Sequence, residues 1–244
     1  MKDKRGEQTS ALARAKAAVT REQLLGATDA HVVSLASAVS SKVKLQPAAI
    51  NAYEQMREAA SAAGFRLQVA SGFRDFQRQK TIWNKKLNAS DESSRALEQI
   101  LHWSALPGTS RHHWGTDFDF FDEGEFPPFQ ENNRTLQLLS SEYQPNGPCH
   151  ALYQWLLKHA PNYGFYWPYQ GRGNGVAAEP WHLSYAPLAA EFQALWGQPE
   201  QIGYLRDFLH SQELAGFSLI SEQLASIIQR YSLQVESPPK EIAL

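Results

Sequence analysis

The spacing of apolar residues along the chain predicts most of its helices. In residues 47–63 the apolar positions recur every three or four residues, which places them on one face of a helix. These positions are Ile50, Tyr53, Met56 and Ala60. The same criterion predicts helices at about 75–88, 91–103, 148–161, 187–196, 199–211 and 219–231. Helices therefore account for most of the predicted structure.

A period of two residues predicts the first strand and the second. Phe65, Leu67 and Val69 alternate with other residues, as in a strand with one buried face. Residues 117–122 alternate aspartate and phenylalanine for most of their length. Because alternate side chains of a strand point to opposite faces, the phenylalanines are expected in the core and the aspartates on the other face.

Two further short strands are expected at 165–167 and 181–185. A few strands surrounded by helices indicate an α+β fold with a small antiparallel sheet flanked by helices. Residues 123–148 are rich in proline, asparagine, glutamate and glycine, and we interpret them as a long surface insertion.

The organisation along the chain indicates one domain over residues 1–244, since no linker or internal repeat divides it. Within it, a catalytic core is expected at about 45–196 and a helical C-terminal extension at about 197–232. Residues 1–10 are charged and polar and are predicted to be disordered. Thr20 and Gln23 match a capping box for a short helix that follows.

Composition and charge exclude several classes of partner. The formal net charge is −2 and 20% of residues are charged, so neither a nucleic acid nor an anionic membrane is expected as the main partner. No apolar run approaches the ~20 residues of a membrane span. The absence of an apolar signal segment predicts a cytoplasmic protein, although a periplasmic chain whose signal had been removed would look the same. The oligomeric state is left open.

Two short segments carry the residue types of a hydrolytic metal site. Residues 110–119 include His112 and Asp119, and residues 179–182 include Glu179 and His182. Catalytic zinc sites usually have three protein ligands and leave one position for water. Each residue alone has a simpler explanation, such as a solvent-facing strand for Asp119 or a hydrogen-bonded core histidine for His182. Pro180 disfavours a helical Glu-x-x-His, so the chain must bend there if Glu179 and His182 are to meet.

These segments resemble the zinc D-alanyl-D-alanine carboxypeptidase family. The shared pattern is Ser110-x-His112-x-x-Gly115-x-x-x-Asp119, followed by Glu179-Pro180-Trp181-His182. An upstream Ser-Gly-Phe-Arg segment at 71–74 is also similar to that family, which includes vancomycin-resistance carboxypeptidases and dipeptidases. This family belongs to the wider group of lysostaphin, D-Ala-D-Ala peptidase and hedgehog. The resemblance runs from about residue 65 to residue 185.

The resemblance implies a role for each matching residue. It implies one zinc ion per chain, held by His112, Asp119 and His182, with Glu179 as the catalytic base. It also implies that Arg74 holds the substrate carboxylate and that Ser110 lies near the substrate backbone. Gln77, Asp117 and Trp181 are further candidates for substrate binding. The implied reaction removes a C-terminal D-alanine from a peptidoglycan-derived peptide.

One position departs from the family pattern. Asp117 stands where the family usually has a small residue, and it is expected to share a strand face with Asp119. It could accept a hydrogen bond from a ligand histidine or from Arg74. His113 follows His112 directly and is expected to point elsewhere.

Other functions remain open at this point. Within the same fold, the chain could be an L,D-carboxypeptidase or a peptidoglycan endopeptidase. A catalytically silent zinc-containing binding module is a further alternative, although the presence of Glu179 argues against it. The single cysteine, Cys149, offers a nucleophile for a cysteine peptidase, but a buried structural cysteine is the favoured interpretation.

Overall fold

The computed structural model describes residues 18–91, 93–126, 135–172 and 175–241. The predicted disordered segment, residues 1–10, lies outside the described residues. The α+β prediction is confirmed: a four-stranded antiparallel sheet is flanked by helices, and a separate two-stranded hairpin lies near the N-terminal side of the described chain.

The strands of the main sheet are short. They are β3 (Leu67–Ser71), β4 (Asp117–Asp122), β5 (Phe165–Tyr166) and β6 (His182–Tyr185), and the hairpin consists of β1 (Val33–Ser34) and β2 (Lys44–Leu45). The order in the main sheet is β3-β4-β6-β5. Strand β4 therefore lies between β3 and β6, and these three strands position the candidate site.

The described residues form nine α-helices. Their bounds are Arg21–Leu24, Pro47–Ala62, Phe76–Asn88, Ser94–Trp103, Ser140–Tyr143, His150–His159, Ala186–Trp196, Glu200–His210 and Phe217–Ile228. Shorter 3₁₀-helices span Arg111–Trp114, Glu123–Glu125 and Ala160–Tyr163, and one π-helical turn spans Gln229–Leu233.

Local sequence signals explain where several helices begin. The Asp75 side chain accepts a hydrogen bond from the Arg78 backbone N–H, and Ser93 does the same for Ala96. Thr20 and Gln23 form the predicted capping box.

Phe118 and Phe120 are fully buried, so the predicted core face of β4 is confirmed.

The prediction of a surface insertion at residues 123–148 is wrong over part of its length. The described part contains the short helix Ser140–Tyr143, and Tyr143 is only 1% exposed. Its hydroxyl donates a hydrogen bond to the Phe120 carbonyl. A single buried aromatic in a polar segment leaves no periodic pattern, which is why the sequence did not reveal it.

Two clusters of buried apolar residues support the elements. One contains the buried faces of β3, β4 and the helix Pro47–Ala62. The other joins the helices Phe76–Asn88 and Ser94–Trp103 to the C-terminal helices, so the C-terminal extension packs directly on the core. Within the described residues, no helix combines the length and the hydrophobicity needed to cross a bilayer.

Candidate metal centre and cleft

Strand register brings Asp119 and His182 together. The two residues are direct partners in the antiparallel pairing of β4 and β6, and Asp119 is also the partner of Ser71 in β3. Side chains at paired positions lie on the same face of a sheet. His182 Nδ1 is accordingly 3.1 Å from Asp119 Oδ1.

His112 reaches the same point from the 3₁₀-helix Arg111–Trp114. Gly115 ends this helix in a left-handed conformation with φ of 67°, which glycine adopts without strain. His112 Nδ1 lies 2.8 Å from the Gly72 carbonyl oxygen. Because a carbonyl only accepts, Nδ1 carries the proton, and Nε2 faces Asp119 Oδ2 at 3.4 Å.

His182 has the opposite orientation. Its Nε2 is 2.9 Å from Asp117 Oδ2, and an ionised carboxylate accepts only, so Nε2–H is the donor. The Nδ1 atom then faces Asp119 and the cleft. The two imidazoles therefore present different nitrogen atoms towards the same carboxylate.

The three residues His112, Asp119 and His182, hereafter the metal cluster, are suited to a metal ion. One ligand atom from each lies within 4.8 Å of the others, and all three residues are buried. Two imidazoles and one carboxylate are a common donor set for catalytic zinc. Outer hydrogen bonds to Gly72 and Asp117 orient the imidazoles, as is usual for metal-binding histidines. The residues present thus fit zinc.

The ionisation of the metal cluster also favours a cation. Burial opposes the charge of Asp119, but the neighbouring His112 and His182 hold its pKa below the usual range. Burial opposes the charge of His182 too, yet its hydrogen bonds to Asp117 and Asp119 raise its pKa to about 9. A metal ion at Nδ1 would replace the proton that occupies that atom.

Asp117 lies behind the metal cluster, in a network of buried polar groups. It is fully buried, and Arg111 Nε donates to its Oδ2 at 2.7 Å. Thr116 and Ser184 donate their hydroxyl groups to Oδ1 at 2.6 and 2.8 Å. Although burial opposes ionisation, the Arg111 guanidinium and His182 hold the pKa of Asp117 well below its usual range. Asp117 therefore holds His182 in place, and none of its hydrogen bonds described here is to Arg74.

A turn places Glu179 beside the metal cluster. The His182 backbone N–H donates to the Glu179 carbonyl at 3.1 Å, and Pro180 follows Glu179 in this turn. Glu179 Oε2 is consequently 3.5 Å from His182 Nδ1. Burial raises the pKa of Glu179 to about 7. The bend that the sequence required at Pro180 is present.

Arg74 lines the cleft that contains the metal cluster, and its guanidinium contacts two neighbouring side chains. Its Nη1 donates to Gln79 Oε1 at 2.8 Å, and its Nη2 is 3.4 Å from Ser71 Oγ. Its buried Nε has no hydrogen-bond partner among the described residues. Burial lowers the pKa of Arg74 from its ordinary value, although the carboxylates of Asp119 and Glu179 act in the opposite direction.

Two of the predicted substrate-binding residues lie outside the cleft. Gln77 is exposed and does not line this cleft, and its amide donates to Gln212 Oε1 at 3.3 Å. Gln79, two residues later, is the buried amide that contacts Arg74. The helical periodicity distinguishes the two glutamines, because Gln79 shares a face with the buried Phe76 and Trp83, whereas Gln77 does not. Asp117 is the second predicted substrate-binding residue that lies outside the cleft, because it is enclosed behind His182.

The cleft that contains the metal cluster has a volume of about 500 Å³. Ser110 and Trp181 line it, as predicted. Among the other residues that line it, none of them singled out by the sequence, are Lys86, Trp103, Tyr169 and Tyr231. Their side chains come from separate parts of the chain and belong to no motif, so only the tertiary structure reveals them.

Cys149 does not resemble a catalytic nucleophile. It is fully buried, and burial raises the pKa of its thiol to about 11. It does not line the cleft of the metal cluster. The favoured interpretation, a structural cysteine, agrees with this environment.

Comparison with known proteins identifies a family. A family model described as VanY, D-alanyl-D-alanine carboxypeptidase, matches residues 42–188. An uncharacterized protein of Haemophilus influenzae is 38% identical over 103 residues, which cover 36% of this chain and 70% of that protein. A D-alanyl-D-alanine carboxypeptidase of Enterococcus faecalis is 28% identical over 144 residues, which cover 56% of this chain and 46% of the Enterococcus protein. The match thus spans less than half of that curated carboxypeptidase.

A solved structure gives a weaker match. The crystal structure of a mutant of the vancomycin resistance D,D-pentapeptidase VanY, in complex with Zn(II), is 24% identical with a TM-score of 0.48. The superposition covers 66% of this chain and 80% of that one.

Proposed function

The chain belongs to the VanY family of D-alanyl-D-alanine carboxypeptidases, and we propose that it is a zinc-dependent enzyme that removes a C-terminal D-alanine from peptidoglycan-type peptides. The family model covers residues 42–188, more than half of the 244 residues, and includes all three residues of the metal cluster. The observation that carries the proposal is the convergence of His112, Asp119 and His182 beside the carboxylate of Glu179.

Zinc held by the metal cluster supplies a Lewis acid that polarises a carbonyl group and activates water. The protein's own acid–base group is Glu179, which takes a proton from the attacking water and returns it to the leaving amine. Its pKa, raised by burial to about 7, is close to the value at which a carboxyl group can both accept and release a proton near neutral pH.

Arg74 supplies the contact that makes the proposed enzyme an exopeptidase. A guanidinium binds a carboxylate through two parallel hydrogen bonds, and Arg74 has a buried Nε without a partner. Gln79 and Ser71 hold the guanidinium at the wall of the cleft. A terminal carboxylate bound there sets the distance between the end of the peptide and the scissile bond. Ser110, on the same wall, is available to the peptide backbone.

The test is digestion of defined peptidoglycan peptides, followed by mass spectrometry with and without a chelator. We expect release of a single C-terminal D-alanine, loss of activity with the chelator, and recovery when zinc is added. Cleavage between an L- and a D-residue would instead support the L,D-carboxypeptidase, and internal cleavage would support the endopeptidase. A protein that binds zinc and cleaves none of these peptides would reject the proposed activity in favour of a binding module.

A further inference from the structure

The helix Phe76–Asn88 contributes side chains to the cleft from more than one of its turns. Gln79 holds Arg74, and Ile82 and Lys86 line the cleft further along the same face. The spacing of three and then four residues keeps all three side chains on one side of the helix. Lys86 is seven residues beyond Gln79, a rise of about 10 Å along an α-helix. The cleft therefore has a second cationic position, separated from Arg74 along the helix axis.

The side chain of Lys86 is exposed at the cleft, and the charged groups that act on its pKa are Arg74 and Glu179. Among the described residues, no hydrogen bond or ion pair engages it. Burial in the cleft wall lowers the pKa of Lys86, and the charge of Arg74 lowers it further, while Glu179 opposes both effects. Lys85 and Lys86 both lie in the last turn of this helix, where a cation interacts favourably with the helix dipole. Lys86 differs from Lys85 because it lines the cleft.

The charges of the cleft indicate what would neutralise Lys86. A divalent ion in the metal cluster is balanced by the carboxylates of Asp119 and Glu179. Arg74 and Lys86 then remain as two positive charges that face the same cavity. A ligand with two carboxylates matches both, and a ligand with only a terminal carboxylate matches one.

The size and walls of the cleft also favour a ligand longer than two alanines. Its volume of about 500 Å³ is within the range of sites that enclose ligands of several residues or rings. Trp103 and Tyr231 add aromatic side chains to its lining. Tyr231 comes from the π-helical turn of the C-terminal extension, outside the residues that match the family model. Tyr231 therefore adds to the cleft a side chain from outside the family match, whereas Trp103 lies within it.

We propose that Lys86 forms a second anion subsite, which selects peptides that carry an acidic side chain one to three residues upstream of a C-terminal D-Ala-D-Ala. This inference rests on the proposed function, in which Arg74 binds the terminal carboxylate. Three extended residues span at most about 10–11 Å, which is comparable to the rise between the helix levels of Gln79 and Lys86. The long side chain of lysine allows it to reach a carboxylate at more than one of these positions.

The experiment compares peptides that end in D-Ala-D-Ala and differ only by glutamate or glutamine at each of the three upstream positions. Binding is measured by calorimetry on the zinc-loaded Glu179→Gln protein, so that the result does not depend on turnover. At one position, we expect the glutamate peptide to bind about 5- to 20-fold more tightly, the effect of one charge-assisted hydrogen bond at a partly exposed site. Lys86→Gln in the same background should abolish the preference.

Lys85→Gln is the matched control, because it removes the same charge from the adjacent position but does not line the cleft. It should keep the preference for glutamate. Equal binding of the glutamate and glutamine peptides at all three positions would overturn the subsite, and so would an equal loss of preference in the Lys85 and Lys86 variants. Cleavage of the same peptides by the parent protein tests the proposed function separately.

Discussion

Asp117 accepts a hydrogen bond from His182 across neighbouring strands, with 2.9 Å between Asp117 Oδ2 and His182 Nε2. This contact determines which nitrogen of His182 faces the metal cluster. Arg111, which is also buried, lies 2.7 Å from the same carboxylate oxygen and offsets its charge. The strand position that the family usually gives to a small residue here supports a ligand histidine from behind.

Replacing Asp117 with asparagine should weaken zinc binding. The amide cannot supply the charged acceptor that holds His182 Nε2–H, so the orientation of the imidazole is less well fixed. Loss of such an outer contact typically costs about 10- to 100-fold in metal affinity. Competition with a chromogenic chelator measures the change. Ser184→Ala is the control, since it removes another hydrogen bond to Asp117 without touching His182, and it should have a much smaller effect. Parent-like zinc affinity in Asp117→Asn would show that Asp117 serves folding alone.

Purified protein should contain about one zinc ion per chain, and His182→Ala should remove most of it, because two donors rarely retain zinc in a catalytic site. Elemental analysis measures the metal content. His210→Ala removes an exposed imidazole on another helix and should leave the zinc content unchanged. A full complement of zinc in His182→Ala would reject the ligand assignment.

Glu179→Gln should retain the fold and the metal but reduce kcat by roughly 10²- to 10⁴-fold, the usual contribution of a positioned acid–base group. The amide preserves the size of the side chain while removing its ability to accept a proton. Steady-state kinetics on a D-alanine-terminated peptide, together with zinc analysis, measures the effect. Glu125→Gln, an exposed substitution of the same kind, should behave like the parent. Parent-like turnover in Glu179→Gln would make Glu179 structural.

Two local patterns in the sequence bear on the positions of Asp119 and His182. Alternation of aspartate and phenylalanine placed Asp119 on the polar face of β4, and Pro180 indicated the bend before His182. Spacing alone does not show that Glu179 and His182 meet, because it does not show that the chain bends near Pro180. The family resemblance then assigned a role to each of them.

The rest of the cleft could not be predicted in the same way. Lys86 and Tyr231 are brought into one cavity by the packing of the C-terminal helices on the helix Phe76–Asn88, which no local pattern encodes. Gln79, which holds Arg74, differs from Gln77 in lying on the buried face of the helix Phe76–Asn88. The hairpin of β1 and β2 has strands of two residues, too short to show alternation.

Arg74→Ala should reduce kcat/KM on free-acid peptides by roughly 30- to several-thousand-fold. Leaving the partner of a buried charge pair without its cation costs ~2–5 kcal/mol, and each ~1.4 kcal/mol corresponds to a factor of ten. C-terminally amidated peptides should be poor substrates of the parent and should lose little more in the variant. Arg78→Ala, an exposed arginine on the adjacent helix, is the matched control. Equal cleavage of acid and amide by the parent would reject the carboxylate contact and favour the endopeptidase.

His113 should make the protein less stable as the pH falls, for a reason independent of the metal. The imidazole is fully buried, its Nε2 accepts a hydrogen bond from the Gly108 N–H at 3.1 Å, and Nδ1 is bonded to the Arg74 carbonyl. Burial lowers its pKa to about 3, against about 6.5 in an unfolded chain. Between these values the unfolded state binds a proton that the folded state does not, so the free energy of unfolding decreases as the pH falls below about 6.5.

From pH 7 to pH 5, this difference in proton binding removes about 2 kcal/mol of stability in the parent. His113→Gln has no group that titrates at this position, so its unfolding free energy should decrease by about 2 kcal/mol less over the same interval. Urea unfolding at both pH values, with chelator present in every sample, measures the two changes. Comparing the change with pH, rather than the absolute stability, removes the separate cost of replacing a buried ring that packs against Gly26. His210→Gln, which replaces an exposed imidazole, should follow the parent. If the His113 variant lost as much stability as the parent, the buried imidazole would have to be protonated in the folded protein, and the neutral hydrogen-bonded state described here would be wrong.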